Sequence, residues 1–270
     1  MKNKNMKKPL SASSLVAIAA FAVSALYVAC ALIGWGIDWG IFLSKVAEIG
    51  RVSISGYGDK AIPVGSFSGV VYLLMLTVRN FTTEAFFGAI TVASIGLFAL
   101  YFVKESSAQQ KPWAFTAGAL ALSFLQIKNI YYAYVNYNIY GQSIGTVISE
   151  IVNLFVALLG LFGAVMIILN CIGAVKNKIP AAVGGAGLLL SAVFNVYTAI
   201  LNIVKANALP FTTGAEKATA ISAWSVYITY FLYTVAATVF FALLLAYLVK
   251  KARTYLAEQR INEKNLKKRR

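Results

Sequence analysis

The stretch 13–37, SSLVAIAAFAVSALYVACALIGWGI, carries no charged residue. At about 1.5 Å per residue it exceeds the ~30 Å hydrocarbon core of a bilayer. It is also longer than the roughly 7–15 apolar residues of a cleaved signal peptide. Lys2, Lys4, Lys7 and Lys8 precede it. It therefore reads as an uncleaved transmembrane helix whose basic leading end stays in the cytoplasm.

Stretches of the same kind follow at 84–103, 113–135, 148–175, 180–204 and 219–249. Across 270 residues, 60% are hydrophobic and 12% charged, with a mean hydropathy of +0.74. Soluble domains carry about 25% charged residues, so an ordinary aqueous globule is excluded. The two Cys are too few for a disulfide scaffold. The expected fold is an all-α, polytopic helical bundle lying in the lipid bilayer of the cell membrane.

Residues 61–78 are ambiguous. They are apolar but short, with Pro63 and Gly65 at the start and Arg79 after the end. Both termini are basic, which places both in the cytoplasm and requires an even number of spans. Six spans satisfy this. Residues 38–83 are then one external loop holding an interfacial or re-entrant element. The resulting organisation is a basic N-terminus at 1–12, one six-helix domain at 13–249 and a basic tail at 250–270. In this arrangement segments 1–12, 104–112, 176–179 and 250–270 face inward, and they hold 17 of the 24 Lys and Arg. That distribution follows the positive-inside rule, so topology accounts for the net charge of +15 without nucleic acid. The tail is expected to continue the last helix and then lie near anionic headgroups, at about 1 kcal/mol per basic residue. Docking of a protein partner is the other reading of the tail.

Chemistry is sparse. There is no His, and Asp38 and Asp59 are the only Asp. This removes imidazole catalysis, imidazole metal sites and Ser-His or Cys-His nucleophiles. No Walker A, dinucleotide, zinc-protease or C-x-x-C pattern occurs. Neither an enzyme nor a resident cofactor is expected. Cys30 and Cys171 should lie at opposite depths and remain unpaired.

Three endings resemble one another: LFALYFVK at 97–104, LNCIGAVK at 169–176 and LLLAYLVK at 243–250. They suggest three helical hairpins, although basic span ends alone produce part of the likeness. Small-xxx-small pairs that permit close packing are Ala25/Ala29, Ala89/Ala93, Gly160/Ala164 and Gly187/Ser191. Trp35, Trp39, Tyr131, Tyr132, Tyr134, Tyr137, Tyr140 and Trp224 fall near the outer span ends, as an interfacial belt does. Tyr227, Tyr230 and Tyr233, three apart, are placed to line a groove.

The polar residues at membrane depth come closest to function. Counted from the cytoplasmic ends, Gln126, Lys128, Asn129 and Asn195 lie about 20–24 Å up, and Asn153 and Asn202 near ~34 Å. Gln126/Asn129 and Glu150/Asn153 are i,i+3 pairs, and Asn195/Asn202 are seven apart. Three helices thus aim polar groups at one outward-facing cavity. Lys128 and Glu150 are equidistant from residue 139, taken as the middle of their loop. An ion pair, a snorkelling Lys within a structural network, and a ligand site are the three readings. The cluster and the span count point to a permease, or the membrane subunit of a transporter, for a solute or lipid. The alternative is a non-transporting scaffold, assembly factor or subunit of a larger envelope complex.

Overall fold

The computed structural model describes residues 11–269 apart from 54–60, 106–111, 141–143, 208, 210 and 212. The basic start at 1–10 and the side chains of Tyr137 and Tyr140 lie outside the described residues. Six helices form: α1 (Ala12–Ile49), α2 (Phe67–Glu105), α3 (Pro112–Tyr140), α4 (Ile144–Cys171), α5 (Ile179–Ala206) and α6 (Gly214–Arg269). Five of them are long and apolar enough to cross a membrane; α3 is the exception. The chain is a multi-pass helical bundle of a kind suited to lipid.

Local chemistry sets the helix ends. Ser11 caps α1 by accepting from the Ser14 amide at 3.2 Å, and Gly50, at φ 71°, ends it in the left-handed region that glycine enters freely. Asn170 ties the α4–α5 turn. Its Nδ2 donates to the carbonyls of Val175 and Asn177, and its Oδ1 accepts from Lys178 Nζ. A capping box opens α6: the Thr213 amide donates to Glu216 Oε2 and the Glu216 amide to Thr213 Oγ1.

Most of 38–83, expected as a loop, is helical. Residues 38–49 are the far end of α1, and residues 67–83 open α2, which runs 39 residues unbroken. The polar stretch 79–84 had separated 61–78 from 84–103 in the sequence. It does not break the helix, within which Thr83 donates to the Arg79 carbonyl at 2.8 Å. The two far halves pack on each other. Trp39 Nε1 donates to Thr77 Oγ1 at 3.1 Å, and Trp35 lies against Phe81. A short antiparallel ribbon joins them, β1 (Arg51–Ser53) with β2 (Ala61–Pro63), Val52 facing Ile62. Pro63 and Gly65 precede this longer helix rather than a separate element.

The tail follows expectation in continuing the last helix. Residues 250–269 continue α6 without a break, giving a helix of 56 residues, about 84 Å long. Cys30 in α1 and Cys171 at the end of α4 are both free.

Each helix packs on its neighbours in sequence, and α6 returns to α1, so the six close into a ring of three hairpins. One end is filled. Phe98, Phe102, Phe115, Phe240, Tyr101 and Tyr247 meet there largely edge to face, for example Phe98 on Phe115 at 5.1 Å and 85°. The hydroxyls of Tyr101 and Tyr247 lie 2.6 Å apart. These tyrosines hold equivalent places three residues before Lys104 and Lys250, so related positions of the first and third hairpins converge.

Glycine sets the closest crossing. A Cβ on Gly163 would run into the Gly184 carbonyl oxygen, one on Gly184 would fall 2.8 Å from Gly163 Cα, and one on Gly187 would fall 2.7 Å from the Leu159 carbonyl oxygen. Gly187/Ser191 thus contributes to a real contact. Ala89 and Ala93 instead face outward. Gly88 is the residue against α1, meeting Val28; one position along a helix is a 100° turn. Gly163→Ala is expected to destabilise the bundle by about 2 kcal/mol through overpacking, despite alanine's ~1 kcal/mol advantage in helix propensity. Gly36→Ala, with nothing within 4 Å, is expected to stabilise by about 0.5–1 kcal/mol. Melting curves in detergent check both signs.

Candidate functional site

Above the aromatic plug the ring does not fill. A half-enclosed cavity of about 400 Å³ takes lining residues from all six helices. Leu122, Leu188, Ala192, Ala237 and Phe241 belong both to its wall and to the buried core, so the roof of the plug is the floor of the cavity. From there it extends toward the opposite ends of the helices, away from Lys104, Lys176 and Lys250.

Gln126, Lys128, Asn129, Glu150, Asn153, Asn195 and Asn202 all line this one cavity. The helical spacing explains their convergence. Gln126 and Asn129 share a face of α3, Glu150 and Asn153 a face of α4, and Asn195 and Asn202 a face of α5. Asn153 Nδ2 donates to Glu150 Oε2 at 3.3 Å. Gln126 lies deepest in burial, 5% exposed, and its Oε1 has no protein partner among the described residues. Gly160 makes room for this amide: a Cβ there would fall 2.7 Å from Gln126 Cδ. Asn129 is exposed, at the rim.

Tyrosines build the opposite wall. Tyr227, Tyr230 and Tyr233 of α6 face the cavity together with Tyr27 of α1. Tyr27 stacks on Tyr233 at 5.2 Å and 16°, and touches Tyr230 at the same distance but tilted. Sequence reasoning placed the α6 tyrosines in a groove and missed Tyr27. The available signal was a lone tyrosine in the middle of 13–37. Thr91, Ser191, Thr198 and Thr234 also line the wall. They were missed because hydroxyls in membrane helices usually satisfy themselves on their own backbone, as Thr198 does on the Phe194 carbonyl.

Lys128 and Glu150 form no ion pair. The Lys128 ammonium sits 4.6 Å from the centre of the Phe87 ring and 5.6 Å from that of Tyr132. It also borders a smaller cavity of about 50 Å³, between α1, α2 and α3, that Glu84 shares. The loop estimate failed because α3 ends at Tyr140 and α4 begins at Ile144. The midpoint is residue 142, which sets Lys128 level with Val156. That is about 9 Å below Glu150 at 1.5 Å per residue.

Among the described residues no group of three His, Cys, Asp or Glu could hold a metal ion. No known family, curated protein or solved structure gives a match to this chain. The cavity must therefore be read on its own chemistry.

A buried acceptor without a donor costs about 1–3 kcal/mol. Gln126→Leu, which removes the orphan and keeps the volume close, is expected to raise the unfolding free energy of the protein by an amount of that order. Chemical or thermal unfolding in detergent measures it. A loss of stability would show that Gln126 is held for the fold.

Proposed function

We propose that this protein is a six-span permease, or the membrane subunit of a transporter, in the cell membrane with both termini cytoplasmic. The observation that carries the reading is the polar cavity at the centre of a closed helical ring, continuous at one end with solvent-exposed residues and sealed at the other by the aromatic plug. A site that a solute enters from one side and that is shut on the other is the minimum geometry of alternating access.

The sixth span is α3. Its average hydropathy is lowered by the polar residues it turns inward. Its outward face is apolar: Leu120, Phe124, Ile127, Tyr131 and Tyr134 are all at least half exposed and recur at spacings of four and three. A helix with lipid-compatible residues outside and amides inside is the reverse of a soluble amphipathic helix. At 29 residues it is about 44 Å long. With α3 crossing, alternation of direction around the ring puts Lys104, Lys176 and Lys250 at one end, where the positive-inside rule requires them.

The scaffold reading draws on a separate feature, the long exposed continuation of α6 with its basic residues. It leaves the cavity without a role.

Cysteines placed at Asn153 and Asn195, in a background where Cys30 and Cys171 are replaced by Ser, are expected to react with a membrane-impermeant maleimide added to intact cells. A cysteine at Val193, on the outward face, is expected to stay unlabelled. Tags at the two termini should become accessible only after permeabilisation. Labelling of the cavity from the cytoplasmic side alone, or of one terminus from outside, would overturn the arrangement. Reconstituted protein that moves no polar solute, yet purifies in fixed ratio with partners, would favour the scaffold.

A further inference from the structure

The chemistry of the cavity narrows what it accepts, and this step rests on the permease reading only for how the ligand arrives. Charge is nearly absent from the wall. Among the described residues, Lys128 and Glu150 are the only charged residues lining it, with opposite signs. Each already has an interaction, Lys128 with the Phe87 and Tyr132 rings and Glu150 with Asn153. An anion entering here gains little attraction and loses its hydration. A lipid chain fares no better, because it offers no donor to Gln126 Oε1 and would desolvate the neighbouring amides.

What the wall offers is carboxamides. Gln126, Asn129, Asn153, Asn195 and Asn202 come from three helices. Each presents a donor and an acceptor side by side, the complement of two adjacent hydroxyls. The orphaned Gln126 Oε1 requires a donor from whatever occupies the space beside it. Across from the amides stand Tyr27, Tyr230 and Tyr233, whose rings lie 5.2–6.2 Å apart. Their negative faces attract the weakly positive C–H surface of a saturated ring. The volume of about 400 Å³ falls within the ~300–1,000 Å³ of small-molecule sites.

We propose that the cavity binds a neutral, polyhydroxylated ring of monosaccharide size, its hydroxyls paired with the carboxamides of α3, α4 and α5 and one face stacked on the tyrosines of α1 and α6. Gln126 is the deepest contact and reads a hydroxyl as a donor. Gly160 is the positioning residue that leaves space for its amide.

The test uses the full chain purified in detergent, with D-glucose, D-galactose, D-mannose and D-ribose as separate probes at about 10 mM. At least one is expected to raise the melting midpoint by about 2–4 °C through preferential binding to the folded state. Gln126→Leu and Asn195→Ala, each first shown to melt cooperatively, are expected to weaken that sugar's apparent affinity at least tenfold. Val193→Ala, on the outer surface, should leave it unchanged. No response to any of the four sugars overturns the proposal, as does a response that survives in both cavity variants. Counterflow of the same sugars in proteoliposomes separates the two readings. Binding without movement leaves the ligand class standing and removes the permease. Movement of an amino acid by protein that ignores all four sugars does the opposite.

Discussion

The seam between α6 and α1 is the contact on which the enclosed interior depends. The other helices meet neighbours to which a short connection already ties them. α1 and α6 are the ends of the folded chain, and only packing brings them together. Gly34 lets α6 approach closely enough that a Cβ there would sit 2.8 Å from Val226 Cγ2 and 3.0 Å from Ser222 Oγ. One turn or two deeper, Tyr27 stacks on Tyr233 and meets Tyr230 at a tilt. Lipid supplies no apolar drive for this association, so close packing and ring contacts must hold it. Without the seam the six helices could lie as an open row, and the amides that now share one cavity would face lipid.

That constraint explains why the cavity residues were legible from sequence. A polar side chain at membrane depth has nowhere to go but inward. Helical periodicity then decides which of them share a face, and it works without tertiary knowledge. Gln126 with Asn129, Glu150 with Asn153 and Asn195 with Asn202 needed nothing else to be placed together. Pairing between helices was a different matter. It depends on where each loop turns, and a three-residue error at the α3–α4 turn misassigned the partner of Lys128. Aromatic partners were harder still. Nothing in the local sequence announces that Phe87 lies under the ammonium or that Tyr27 completes the α6 tyrosine wall.

Helix boundaries were legible where caps and left-handed glycines lie, and illegible where polarity changes without a break. The stretch 79–84 resembles a loop in composition because lipid would reject it. A helix leaving the membrane has no such objection, and α1 gives α2 a partner there through Trp39 and Thr77. At the tail, by contrast, continuation of the helix was expected. Charge reports where the bilayer stops, but only helix-breaking residues report where the helix stops. Between Lys250 and Arg269 there is neither Gly nor Pro.

The two ends of the cavity differ in how they could change. The upper wall is made of polar groups that tolerate water, so entry there costs little. The lower closure is made of aromatic rings meeting edge to face, each such contact worth only about 0.5–1.5 kcal/mol beyond its buried area, and one hydrogen bond between Tyr101 and Tyr247. The closure joins the ends of α2 and α6, equivalent helices of the first and third hairpins, with the start of α3 through Phe115. A rotation of one hairpin against the other would separate those rings together. Lys251 lies 5.5 Å from the Tyr247 ring, and the helical tail continues α6 beyond the seal.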